Sequence, residues 1–275
     1  MKRLLALLLC ALMVSMLAAC SNKEDETAAP GEGDKIVTEI TVNDDTFVFA
    51  DVDSESVRIT GFRTANDTAH EVVIPAYLDG KLVVEIGQQA FESLSSISKI
   101  TFPTEADFLA GNADFVMAEY SLTIGNYAFR GCDNLREITI PAYVKSIGEL
   151  AFYECVSLSS VTFTEGGLLN KIPKAAFAGC TALESVTVPG NVKVVDYGAF
   201  FECDGLQTVT LCDGVVEVGA QAFQKCEKLA TVTLAASVTM VGNKALAGCT
   251  ALTAVNYSGS SEQVLNYIDE LNLPQ

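Results

Sequence analysis

The sequence predicts an α/β solenoid: a right-handed stack of 23-residue coils, each a β-strand and a short helical turn, opened by an N-terminal β cap. Two observations predict it. The motif Ala-Phe-x-x-Cys returns with Phe91, Phe129, Phe152, Phe177, Phe200 and Phe223, and Leu246 takes the last turn. The separations are 38, 23, 25, 23, 23 and 23 residues, and Cys132, Cys155, Cys180, Cys203, Cys226 and Cys249 keep step. Each interval also carries one strand pattern, such as Leu183-x-x-Val186-Thr187-Val188. A period of about 20–29 residues with one strand per unit marks a stacked array. No such unit buries its apolar face alone, so the units must pile on one another.

The elements follow in order. Lys2 and Arg3 precede an uncharged run, Leu4 to Ala19, which ends in Leu17-Ala18-Ala19-Cys20. A basic start, an apolar stretch and small residues before a cut site describe an export signal. The run is short for a membrane span, which needs about 20 apolar residues. Leu-Ala-Ala-Cys resembles a bacterial lipobox. That resemblance implies cleavage of residues 1–19, diacylation of Cys20 and a membrane contact made through the lipid anchor. The remainder of 20–35 holds no large apolar side chain, so it buries too little surface to offset ordering entropy and reads as a flexible tether.

Residues 36–70 alternate apolar and polar side chains around Phe47, Phe49, Val57, Ile59 and Phe62, with Asn43-Asp44-Asp45 and Asp53-Ser54-Glu55-Ser56 as turns. This is a small antiparallel strand set that caps the open edge of the stack. The coils occupy 71–258. Their strands read Leu158-x-x-Val161-Thr162-Phe163, Leu206-x-x-Val209-Thr210-Leu211 and Leu229-x-x-Val232-Thr233-Leu234, with apolar residues inward and Thr outward. Ser261 to Leu273 places Val264, Ile268 and Leu271 on one helical face, so 259–275 is expected to be a C-terminal cap helix.

These residues, with the lead-in Val57-Arg58-Ile59-Thr60-Gly61 and Val73-Ile74-Pro75, resemble the BspA-type leucine-rich repeat family of bacterial surface proteins. The resemblance covers about Phe47 to Tyr257. It implies a leucine-rich-repeat-like extracellular solenoid, often in adhesion or host-protein contact, with no catalytic residues.

Three departures interrupt the period. An insertion at 103–123 carries Phe108, Phe115, Met117 and Tyr120. A two-residue excess falls near Gly166-Gly167. The glycine column Gly87, Gly125, Gly148, Gly219 and Gly242 is broken by Pro173 and Asp196. Because Pro locks φ near −65°, close backbone packing rather than positive φ accounts for those glycines.

The formal charge of −18, from 17 basic and 35 acidic residues, repels phosphate backbones and excludes nucleic acid as a partner. The cysteine column admits free buried thiols, disulfides between coils or a metal site; free thiols fit six cysteines at one internal position best, and no metal or other cofactor is expected. Cys212 lies outside the column, where other coils carry Pro. His70, the one histidine, reads as a loop residue without a catalytic partner. Asp51-x-Asp53-x-Glu55 lacks the glycine that a calcium loop needs. No phosphate loop, serine elbow or zinc-protease motif occurs.

The function expected is therefore not enzymatic. The chain is read as a cell-surface, lipid-anchored lipoprotein that binds an extracellular protein, of a host, a matrix or another microbe, through its solenoid face. Candidate contact residues are the outward column Thr139, Thr162, Thr187, Thr210 and Thr233, and the insertion aromatics Phe108, Phe115 and Tyr120, unless these pack on the first coils. Glycan capture for nutrient uptake, or a passive spacer or assembly module, are the alternative readings.

Overall fold

The computed structural model describes residues 38–273, apart from 43, 66 and 67. The expected signal segment, the lipidated Cys20 and the tether lie outside these residues. Chain order is β1 (Thr38–Val42), β2 (Asp45–Asp51), β3 (Ser56–Thr64), β4 (His70–Val73), β5 (Tyr77–Leu78), β6 (Lys81–Ile86) and β7 (Ile97–Thr101). The insertion follows, with helix α1 (Glu105–Gly111) and a 3₁₀ turn at Met117–Glu119. Then come β8 (Leu122–Ile124), β9 (Glu137–Ile140), β10 (Val144–Ile147), β11 (Ser160–Phe163), β12 (Lys171–Ile172), β13 (Ser185–Val188) and β14 (Val194–Val195). The chain closes with β15 (Thr208–Leu211), β16 (Glu217–Val218), β17 (Thr231–Leu234), β18 (Met240–Val241), β19 (Ala254–Tyr257) and helix α2 (Glu262–Glu270).

The strands build a β-solenoid. Eight of them form one sheet in the order β19-β17-β15-β13-β11-β9-β7-β4, every neighbouring pair parallel. A second wall is built from β1-β2-β3-β6-β8-β10, with β5 on β6, and from β12-β14-β16-β18. The break between β10 and β12 falls at the 25-residue coil, where Pro173 stands at the position from which Gly125, Asp196, Gly219 and Gly242 donate N–H to the preceding coil and has none to give. The antiparallel strands β1, β2 and β3 join the stack through β3, which pairs parallel with β6.

Inside, the phenylalanines stack ring on ring. Phe91, Phe129, Phe152, Phe177, Phe200 and Phe223 have centroids 5.0 to 5.4 Å apart and interplanar angles from 1° to 16°. Phe62 of β3 extends the row, 5.0 Å from Phe91. Each of the six repeat rings is essentially fully buried. Their backbone fixes the stacking distance: Phe129, Phe152, Phe177 and Phe200 each donate N–H to the carbonyl of the alanine that precedes the next ring, and Phe223 to that of Ala245 before Leu246, at 2.8 to 2.9 Å.

The return side of each coil, expected as a short helical turn, is a run of three-residue hydrogen-bonded turns. Two residues per coil, four apart, have left-handed φ, as in Tyr127 (58°) with Gly131 (66°) and Gln221 (59°) with Lys225 (62°). Such residues cannot continue a right-handed helix. They turn alternate N–H groups toward the next coil instead. The glycine column is explained by close approach: a Cβ on Gly148 would stand 2.3 Å from the Asn126 nitrogen.

Helix α2 covers the last coil. Gln263 acts as a further rung for β18, accepting from Val241 N–H at 2.9 Å and donating to Val241 O at 2.7 Å. The Tyr267 hydroxyl accepts from Leu246 N–H at 2.8 Å, the bond that the next coil's alanine would have made. Backbone groups left bare at the end of a stack cost free energy, and these side chains satisfy them.

Candidate functional site

Period-2 alternation puts Thr and Ser on the outer face of the eight-stranded sheet, where β-branched side chains suit a strand. Thr139, Thr162 and Thr187 are exposed, and Thr210 and Thr233 are half-exposed. Thr139 faces Thr162 in register, and Thr187, Thr210 and Thr233 follow one another. A second row, Ser160, Ser185, Thr208 and Thr231, runs beside them.

Two hollows lie on this face. The first, about 440 Å³, is floored by Lys99, Thr101, Glu137, Thr139, Ser160 and Thr162 and walled by Pro103, Pro141 and Tyr143. The second, about 420 Å³, is lined by Ser160, Thr162, Glu165, Ser185, Thr187, Pro189 and Cys212. They share Ser160 and Thr162, so they form one trough across β7, β9, β11 and β13. Thr210 and Thr233 lie outside both. Lys99 stands between two carboxylates, 3.5 Å from Glu137 and 3.9 Å from Glu71, and Thr101 donates to Glu71.

The insertion shapes the trough, but Phe108, Phe115 and Tyr120 do not line it. Phe108 and Tyr120 are buried, which corrects the expectation that they stand ready as contact anchors. Phe108 stacks on Phe115 at 4.6 Å and packs against Tyr120 at 4.5 Å and Tyr143 at 5.9 Å. Three hydroxyls peg the segment down. Tyr143 donates to Pro103 O (2.6 Å), Tyr120 to Val83 O (2.7 Å) and Tyr77 to Phe108 O (3.2 Å). Burial pushes the Tyr120 and Tyr143 hydroxyls well above the ordinary phenol range, so both stay neutral donors. At the start of α1 the Asp107 carboxylate accepts from Thr104 Oγ1 and Thr104 N–H, both at 2.7 Å, and these bonds hold its pKa below the usual carboxylate value. Phe115 is half-buried and, with Tyr120, lines a separate depression on the opposite wall, together with Leu82, Val84, Glu85 and Lys145. The Thr column and the insertion aromatics therefore belong to different faces.

Against the profile of the BspA type leucine rich repeat region, the sequence matches in six copies over residues 68–113, 112–229 and 170–270. The chain belongs to the BspA-type leucine-rich repeat family. Proteins of this family are typically exposed on bacterial surfaces and generally non-enzymatic, and leucine-rich repeat solenoids generally bind protein partners. A T. pallidum leucine-rich repeat protein is similar in structure, with a TM-score of 0.63 and 25% identity over 86% of this chain and 96% of that one. The pneumococcal vaccine antigen PcpA shares the fold, with a TM-score of 0.51 and 19% identity over 81% of this chain and 70% of that one. No curated protein matches the sequence.

Within this BspA-type chain the other candidates resolve as structure. The seven cysteines among the described residues are free. Each column thiol donates to the carbonyl of a phenylalanine in the preceding coil, from Cys132 to Phe91 (3.1 Å) through Cys249 to Phe223 (3.2 Å). His70 is not a loop residue: it opens β4, and its Nε2 lies 3.0 Å from Asp45 Oδ1. Asp53 Oδ1 is taken up by the N–H groups of Glu55 (2.9 Å) and Ser56 (2.8 Å) in a turn. No helix among the described residues is long and apolar enough to cross a membrane. Sequence reasoning missed Lys99 and Tyr143 as trough residues. Their signal was position: Lys99 is, with Thr101, an outward residue of the strand before the insertion, and Tyr143 follows the strand beyond it.

Proposed function

We propose that the chain is a lipoprotein, anchored through Cys20 and carried on the 20–35 tether, that binds an extracellular protein at the trough of its eight-stranded sheet. The observation that carries this reading is the continuity of the trough from Lys99 to Thr187 on a pre-formed, rigid sheet. Its floor offers two rows of hydroxyls, each able to donate and accept, with Lys99 between Glu71 and Glu137 at one end. A rigid face costs little ordering entropy on binding. The reading assigns the chain no catalytic role, and its reach away from a membrane would come from the tether.

The test is a pull-down of extracellular proteins with the full chain, repeated with Thr162→Glu and Thr187→Glu together. Both residues are exposed, so thermal melting should stay in place while capture falls at least tenfold. Capture indifferent to both changes would favour a spacer. Retention of a polysaccharide instead of a protein would point to glycan uptake.

A further inference from the structure

The C-terminal end of the solenoid is capped selectively. Gln263 closes β18, and Tyr267 closes the return ladder at Leu246. Ser261 Oγ donates to Thr239 O at 2.9 Å, and the Tyr257 hydroxyl to Val238 O at 2.7 Å. The eight-stranded sheet receives no such closure among the described residues. Its last strand, β19, pairs only with β17. The N–H groups of Ala254 and Ser258 reach back to Ala230 O (3.2 Å) and Leu234 O (3.3 Å). Alternation in a parallel ladder then turns the N–H and C=O of Val255 and Tyr257 outward.

An open edge is normally blunted with charge, proline or a bulge. Elsewhere the chain follows this rule: edge strand β1 carries Glu39, ion-paired with Arg63, and edge strand β4 carries His70 and Glu71. At β19 the rule is dropped. Residues 245–261 hold no charged side chain and no proline, and β19 keeps regular register with β17 along its whole length. The inward side chains of Val255 and Tyr257 are only half-buried.

We propose that β19 pairs antiparallel with β19 of a second copy of this chain. The edge is self-complementary about Asn256. With the two Asn256 residues opposite each other, Val255 of one copy meets Tyr257 of the other. Each such meeting exchanges an N–H→O bond in both directions, which satisfies all the outward groups of both residues. Two strongly acidic chains repel, and a charge-free end is where they approach at least cost. The two-fold axis of an antiparallel pair stands perpendicular to the sheet, so both hydroxyl faces look the same way. The dimer would present two troughs side by side, and paired sites raise avidity without new contacts.

Sedimentation velocity on the full chain tests this, read as the difference between wild type and two variants. Asn256 is exposed and its ladder bonds are made by the main chain, so Asn256→Lys leaves the fold alone but sets two like charges across the pair. Val255→Pro removes one outward N–H and leaves the bonds of Ala254 and Ser258 to the neighbouring strand. Wild type is expected to carry twice the mass of either variant, with thermal melting of Asn256→Lys unchanged. Residues 1–35 are common to all three chains, so association through them cancels in the difference. Equal masses for wild type and both variants overturn the proposal.

Discussion

The Cys180 thiol donates a hydrogen bond to the carbonyl oxygen of Phe152, 3.2 Å away in the preceding coil. The same carbonyl also accepts Cys155 N–H at 3.3 Å, so ring, thiol and backbone are locked together. A thiolate at Cys180 would be buried against an oxygen. Burial accordingly pushes the Cys132 and Cys203 thiols up to about 12 and Cys249 up to about 11, with Cys155, Cys180 and Cys226 raised as well. Since the thiolate is the reactive form, iodoacetamide at mildly alkaline pH should label Cys212 first among the described cysteines and Cys249 slowly. The five deeper column thiols should react only after denaturation. Peptide mapping of native protein with label on Cys155, Cys180 or Cys203 would refute this.

The ring stack makes a second prediction. Phe177 lies 5.0 Å from Phe152 and 5.4 Å from Phe200, nearly parallel to both. Its removal leaves a cavity that the rigid ladders on either side cannot close. Phe177→Ala should cost about 3–5 kcal/mol in chemical denaturation. A loss under about 1 kcal/mol would mean the coils collapse into the gap, contrary to a stack held by its backbone ladders.

The period in Phe and Cys makes the stack, its core and the outward Thr rows legible in the sequence. Those features depend on neighbours one coil away, and a repeat states its neighbours in advance. The trough was not legible. Its depth comes from Pro103 and Tyr143, tied together across adjacent coils by the Tyr143 hydroxyl, and Tyr120 is fixed by the carbonyl of Val83, 37 residues earlier. The pattern of aromatic residues in 103–123 was visible, but whether they faced in or out turned on those distant carbonyls. The return turns depart from the expected short helix for a related reason. Tyr127, Leu150 and Ala175 hold left-handed φ without being glycine, so no residue type announced the conformation.

Glycines at two positions should separate packing from conformation. At Gly148 a Cβ would press 2.3 Å from Asn126 N and 2.4 Å from the Gly125 carbonyl carbon. Backbone must move, so Gly148→Ala should cost about 3 kcal/mol or more. Gly198 has φ +58°, and its Cβ would meet only Phe201 Cβ at 3.6 Å. Other coils place Tyr127, Leu150 and Ala175 at that position with similar φ. Gly198→Ala should cost about 1 kcal/mol, the price of a left-handed side chain less the entropy it removes from the unfolded chain. Equal losses at the two sites would show that the coils slide apart readily.

The pair of His70 and Asp45 predicts a pH dependence of stability. His70 Nδ1 faces the Thr68 carbonyl oxygen at 3.0 Å, and Nε2 faces Asp45 Oδ1 at 3.0 Å. Both partners accept, so both ring nitrogens must donate, which only the imidazolium can do. Burial pulls the pKa down, but the Thr68 carbonyl and then the Asp45 carboxylate outweigh it, and the net shift is upward from 6.5. A group whose pKa is raised on folding binds its proton more tightly in the native state. Its contribution is complete below 6.5 and fades as pH rises through the higher native value. The bond joins β2 to β4, so the first coils should loosen before the last. Denaturation of wild type is expected to show stability level below pH 6.5 and declining above it, until the raised native value is passed. His70→Gln, which keeps one donor but cannot titrate, should lose that slope. A wild-type profile with the same slope as His70→Gln would rule out the charged pair.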